Sequence, residues 1–251
     1  ELNNACASGK DVIQSKRLVK NYISKNSKDN NWVTKCNGII WTLIDGMGNR
    51  YKSDHNITAM TIGTGIMLSK RVVNDLGGWP YRKTLTEDIE FMYDITLRGY
   101  ETFFYSYSKI YLEESPSYSV TNTRRTRWMT GVVDSKRIYN SRLKSEMITK
   151  KQKQNKYFTT GLNTVYWLMG ISTLFFLTNA LLTMVAYFAN SPVYLLTFRN
   201  AVISFSVVYL SFFIMTVFAV IIDYKYIKIP WYEKIILCFI HPIFYMGYIK
   251  I

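Results

Sequence analysis

"LTEDIEFMYDITLRGY", residues 85–100, is the stretch whose reading decides the fold. Wound as a helix at about 100° per residue, it sets Leu85, Ile89, Met92, Ile95 and Thr96 on one face. Glu87, Glu90, Asp94 and Arg98 fall on the opposite face, the expected solvated surface. Thr84, three residues before Glu87, reads as half of a capping box, and Gly99 as the helix stop. Asp88 does not join the other acids. It projects between Met92 and Ile95, at the edge of the apolar stripe. A carboxylate in the first turn is favoured by the helix macrodipole, so its position allows a structural role as well as a chemical one.

The remainder of the chain divides sharply. From Tyr157 to Phe198 there is no Asp, Glu, Lys or Arg, and after Arg199 none again until Asp223. These uncharged runs exceed the roughly 20 residues that cross a bilayer. The region before Tyr157 is rich in Lys, Asn, Asp and Gly and reads as water-soluble. The net charge of +14 would suit nucleic acid, but its distribution points elsewhere. Lys136, Arg137, Arg142, Lys144, Lys150, Lys151, Lys153 and Lys156 face a single acid, Glu146, immediately before the first apolar run. That is where positive-inside residues and contacts to anionic headgroups lie, so a lipid bilayer and no nucleic acid is the expected partner. Cys6, Cys36 and Cys238 are far apart with no metal or redox spacing, as for small buried thiols in a reducing compartment.

Residues 1–8 read as the end of a helix closed by Gly9, and "DVIQSKRLV" as a strand. Trp32, Val33, Cys36, Ile39, Ile40, Leu43, Ile44 and Met47 keep helical spacing, predicting an amphipathic helix over 31–48. "TIGTGIMLSK" is a short strand or loop around Gly63 and Gly65, and Ser69 caps a helix that Gly77-Gly78 ends. "YETFFYSYSKIYLEE" is aromatic and β-prone, Ser115-Pro116 breaks it, and "SYSVTNTRRTRWMTGVV" is helical. Spans are expected near 161–189 and 201–222, with Asn190-Ser191-Pro192 as the outer turn, and a partial third near 235–249 interrupted by His241-Pro242.

Gly63-Thr64-Gly65, Thr86-Glu87-Asp88 and Arg124-Arg125-Thr126-Arg127-Trp128 now stand in order ahead of the spans. This order resembles the processive family 2 glycosyltransferases of membranes, the synthases of poly-N-acetylglucosamine, chitin, hyaluronan and cellulose, which carry a "TED" motif and a "Q-x-x-R-W" motif. Thr86-Glu87-Asp88 matches the first in full, and Arg124-x-x-Arg127-Trp128 matches the second with Arg in place of Gln. "LGGW" at 76–79 is a further familiar neighbour. The resemblance covers roughly the whole chain.

It implies an α/β fold: part of a GT-A catalytic domain over 1–134, a basic interfacial helix over 135–156, and an α-helical transmembrane region over 157–251. It also implies an inverting hexosyltransferase that moves a sugar from a UDP-sugar, N-acetylglucosamine being the first choice, to a growing polysaccharide. Inversion needs a base that takes the proton of the attacking hydroxyl, and Asp88 is that candidate. Glu87 is expected to orient a neighbour or the acceptor, and Trp128 offers a flat face for a sugar ring. Gly63 and Gly65 let backbone approach the sugar, with Gly63 and Thr64 as acceptor-binding candidates, and the forked guanidinium groups of Arg124 and Arg127 suit a diphosphate leaving group. The family's earlier Asp-x-Asp motif is missing. The chain is therefore expected to be the C-terminal portion of a longer polypeptide, with the ligands of a divalent cation (Mg or Mn) outside it. A bacterial inner membrane with the catalytic part in the cytosol, and an accessory membrane subunit, complete the expectation. The rival readings are a synthase of another polymer, a nonprocessive lipid-directed transferase, and a noncatalytic saccharide-binding remnant.

Overall fold

A computed structural model describes residues 9–24, 26, 28–145 and 171–247, together with Asn4 and Ala7. Its sheet has three strands in the order β2-β1-β3. β1 (Val12–Val19) runs antiparallel to β2 (Ile66–Leu68), with Val12 opposite Leu68. It runs parallel to β3 (Thr102–Leu112), with Val12 opposite Thr102 and Val19 opposite Leu112. The register slips between Ser15 and Lys16: their partners are Tyr105 and Lys109, so β3 carries three extra residues.

Every residue of β1 is buried. A half-exposed strand would alternate; this one is covered on both faces, and its polar members each find a partner. The Gln14 side chain donates to the Thr64 carbonyl at 3.0 Å and accepts from the Ile62 amide at 3.0 Å. Ser15 bonds Ser108 at 3.0 Å, Lys16 pairs with Asp223, and Arg17 pairs with Asp45. Burial of such groups is tolerated only with partners in place.

The helix predicted over 31–48 starts as expected, Asn31 accepting from the Thr34 amide at 3.1 Å. It continues further: α1 (Trp32–Trp41) widens into a π-helical stretch (Thr42–Asn49) and tightens again as α2 (Arg50–Asp54). The wide turn directs Asp45 at Arg17 and Asn49 at both backbone groups of Met60. Gly46 lies against Asp223, where a Cβ would stand 2.9 Å from the carboxylate. α3 (Lys70–Leu76) is capped by Ser69 and stopped by Gly77 in the left-handed region, as its sequence predicts.

α4 (Glu87–Leu97) departs from its predicted faces. Glu90 and Asp94 are buried and Leu85 is exposed. The helix is wedged between two apolar clusters: Ile89, Met92 and Tyr93 join Met60, Tyr139 and Leu143 on one side, while Phe91 and Ile95 join Val12, Val72, Leu76 and Tyr81 on the other. The acids enter with partners. Glu90 accepts from the Thr84 amide at 2.5 Å, and Asp94 accepts from Tyr81 at 2.9 Å and Arg98 at 3.0 Å. The capping box between Thr84 and Glu87 does not form; Thr86 is the N-cap, without a side-chain bond, and the reach-back comes from Glu90. The C-terminus follows prediction, with Gly99 at φ 82° and the Tyr100 amide closing on Ile95 at 2.9 Å.

α5 (Tyr118–Ser145) is followed after the gap by α6 (Ile171–Phe188), α7 (Tyr194–Ile222) and α8 (Trp231–Met246). α6 and α7 are long and apolar enough to cross a membrane. The basic residues 146–156 and the start of the first expected span, 157–170, lie outside the described residues, as do 1–3, 5–6, 8 and 248–251. α8 holds Pro242 and, at 16 residues, rises about 24 Å, short of a roughly 30 Å hydrocarbon core. One apolar cluster joins Val19, Tyr22, Cys36, Ile39 and Trp41 to Ala219, Val220, Ile227, Ile229, Leu237 and Cys238. The sheet, the C-terminal end of α7 and the middle of α8 therefore share a core. Cys36 and Cys238 are buried free thiols.

Candidate active site

A cavity of 320 Å³ opens where four parts of the chain meet. The loop before β2 supplies Ile62, Gly63 and Thr64, and the start of α4 supplies Leu85, Thr86, Glu87 and Asp88. The end of β3 adds Leu112, Glu113 and Glu114, and α5 adds Arg124, Arg127 and Trp128. Arg17 and Trp41 complete its lining. All seven site residues expected from sequence line this one cavity.

Asp88 is half-buried at its wall. Its Oδ1 accepts from the Ile89 amide at 2.9 Å, and the Gly63 backbone lies beside the carboxylate. Burial raises its pKa above the ordinary 3.8, and the neighbouring negative charge of Glu87 raises it further, against the lowering pull of nearby backbone amides. Gly63 sits at φ 36°, and a Cβ there would stand 3.5 Å from Oδ2. The glycine expected to admit a sugar thus brings its backbone up to Asp88. Gln14, bonded at both ends of the loop, fixes that approach.

The two arginines have different surroundings. Arg124 donates to Glu114 and lies over the Trp128 ring, 4.9 Å from its centroid. Its charge is already countered, which weakens the expectation that it binds diphosphate. Arg127 is exposed on the rim, and among the described residues no ion pair engages it. Glu87 is exposed beside Asp88. Trp128 is half-buried and meets Trp41 edge-on, with centroids 6.0 Å apart at 71°.

Four residues of this site escaped the sequence reading: Gln14, Arg17, Trp41 and Glu114. Arg17 is fully buried, its Nε and Nη2 on Asp45 at 2.8 and 2.5 Å, its guanidinium 4.5 Å from the Trp41 ring centroid. Nothing local marks it, because its partner lies 28 residues away on the π-helical turn. Glu114 was legible only as an acid after a strand.

The acids here do not fit a divalent cation. Glu114 has one oxygen on Trp41 at 2.6 Å and the other on Arg124. Glu113 is paired with Lys20 at 2.7 Å. Among the described residues no group of three His, Cys, Asp or Glu could hold a metal ion.

The family description "Glycosyl transferase family group 2" matches residues 1–249. The chain belongs to that family. A comparison with curated proteins returned no match. Family membership makes this protein a glycosyltransferase with a sugar donor and an acceptor. Its mixed α/β part, with a small sheet and mostly helices, fits the expected fold class at that level.

Proposed function

We propose that this family 2 member is a membrane-embedded inverting hexosyltransferase that extends a polysaccharide from a UDP-sugar, and that residues 1–134 form the acceptor side of its catalytic domain. The observation that carries the reading is the meeting of Asp88, Arg127 and Trp128 on one cavity. In the proposed step Trp128 stacks the acceptor ring and Asp88 takes the proton of its hydroxyl. The hydroxyl oxygen bonds to the anomeric carbon from the face opposite the leaving group. The bond from that carbon to the diphosphate oxygen breaks, UDP departs with the electron pair, and Arg127 offsets the charge developing there. Glu87 orients the acceptor and keeps Asp88 basic.

N-acetylglucosamine is the proposed sugar by the motif resemblance, and a bacterial inner membrane with the site on the cytosolic side the proposed address. A divalent cation would neutralise the donor diphosphate from carboxylates other than those of this cavity, and no step here runs through it. Asp88→Asn, in membranes containing the enzyme, should retain UDP-sugar binding and lose about 10²- to 10⁴-fold in transfer. Turnover near that of the unaltered protein would remove Asp88 from the mechanism.

A further inference from the structure

Glu114 is a buried charge in the cavity wall, its side chain 1% exposed. Such a group is costly to desolvate, and an apolar residue often serves stability as well. What it joins gives the charge a purpose. Oε1 accepts from the Trp41 indole N–H at 2.6 Å, and Oε2 accepts from Arg124. Arg124 in turn covers Trp128 at 4.9 Å, and Trp128 meets Trp41 at 6.0 Å. The four side chains close a ring, with Glu114 as its one carboxylate. The backbone of Glu114 is itself pinned: its amide donates to Asn21 Oδ1 at 2.7 Å, and its carbonyl accepts from Asn21 Nδ2 at 3.2 Å.

We propose that Glu114 is a positioning residue for acceptor binding, holding Arg124 flat on Trp128 so that one face of the indole stays fixed toward the cavity. The assignment rests on Trp128 being the acceptor platform. It also gives Arg124 a role: at this position, where the motif resemblance leads one to expect Gln, the positive charge is answered by Glu114 and spent on Trp128 through a cation–π contact. Arg127 is then the arginine left for the leaving group. Lysine at 124 would lack the planar fork that bonds a carboxylate while lying on a ring.

The test compares Glu114→Gln, Arg124→Gln, the double variant and Trp41→Phe in membranes, with a soluble N-acetylglucosamine oligomer as acceptor. Glu114→Gln should raise the acceptor KM at least tenfold, with kcat and the donor KM within about threefold of the unaltered enzyme. The double variant should be no worse than the worse of the two singles, because both break the one link from Glu114 through Arg124 to Trp128, a coupling that separate roles would not give. Trp41→Phe keeps an aromatic ring at this position and removes the pyrrole part of the indole with the N–H donated to Glu114, so it should move the acceptor KM in the same direction by less; it decides the matter if Glu114→Gln does not accumulate. An unchanged acceptor KM in the folded single variants overturns the proposal. So does a fall in kcat with both KM values unmoved, or a double variant as impaired as the two singles combined. A fully active Asp88→Asn would strike the base assignment and leave these KM outcomes readable.

Discussion

At the scale of single residues, the pH behaviour of Asp88 carries the chemistry. A base works only when ionised, and burial together with Glu87 holds this carboxyl protonated to higher pH than an ordinary aspartate. The acid limb of kcat/KM should therefore lie above pH 3.8, the ordinary value. Glu87→Gln removes the like charge and should move that limb to lower pH, measured as a pH–rate profile; a limb that stays fixed would deny the coupling. The sign for stability is opposite to that of a paired acid. A carboxyl whose folded pKa is raised binds its proton more tightly in the native state, so its ionisation above that pKa weakens the fold. Asp88→Asn should then keep or raise Tm at neutral pH while transfer collapses, a combination that a structural carboxylate would not give.

At the scale of elements, α4 separates what the sequence discloses from what it does not. The wheel over 85–100 placed Asp88 inward and gave Ile89, Met92 and Ile95 to the core, and these positions hold. It misassigned Glu90 and Asp94 because it assumed one buried face, whereas packing buries two. The partners that make this tolerable, Thr84, Tyr81 and Arg98, are turns away or in another segment. The π-helical turn in 42–49 was illegible for the same reason: Arg17 and Asn49's partner Met60 lie outside it. The motif residues were legible because their spacing is local, and their convergence across β3 and α5 was not. The seat of α4 against α5 yields a sharp test. Gly131 on α5 leaves room for Thr86: an added Cβ would stand 2.4 Å from Thr86 Oγ1 and 2.9 Å from its Cβ. Gly131→Ala should push the N-cap of α4, and Asp88 with it, out of place. Overpacking of this kind costs about 1–3 kcal/mol, so Tm should fall and kcat should drop at least tenfold. Unaltered kcat with lowered Tm would show that the cap moves without carrying Asp88.

At the scale of the whole molecule, the sheet and the apolar helices are joined at one end. Lys16 of β1 pairs with Asp223, just past α7, and its ammonium lies 4.3 Å from the Tyr226 ring centroid. Ile227 and Ile229 are buried with Val19 and Tyr22. The loop between α7 and α8 therefore lies with the sheet, on whichever side of a membrane the sheet occupies if α7 crosses one. α7 has 29 residues and rises about 43 Å, more than the roughly 30 Å hydrocarbon core. If α7 crosses, the turn at Asn190–Val193 stands on the far side. Charge agrees with that orientation: Lys225, Lys228 and Lys234 follow α7, whereas its early turns hold Arg199 alone, so for a crossing α7 the positive-inside bias predicts the sheet on the cytoplasmic side. Cysteine labelling in intact bacterial cells checks it, with Cys6, Cys36 and Cys238 replaced by alanine. An impermeant maleimide should modify Ser191→Cys directly, and should reach Lys225→Cys, an exposed position, only after permeabilisation. The reverse pattern would invert the orientation. Labelling of both positions from outside would mean that α7 does not cross, and the shared core would then hold an apolar helix pair against the sheet on one side of the membrane.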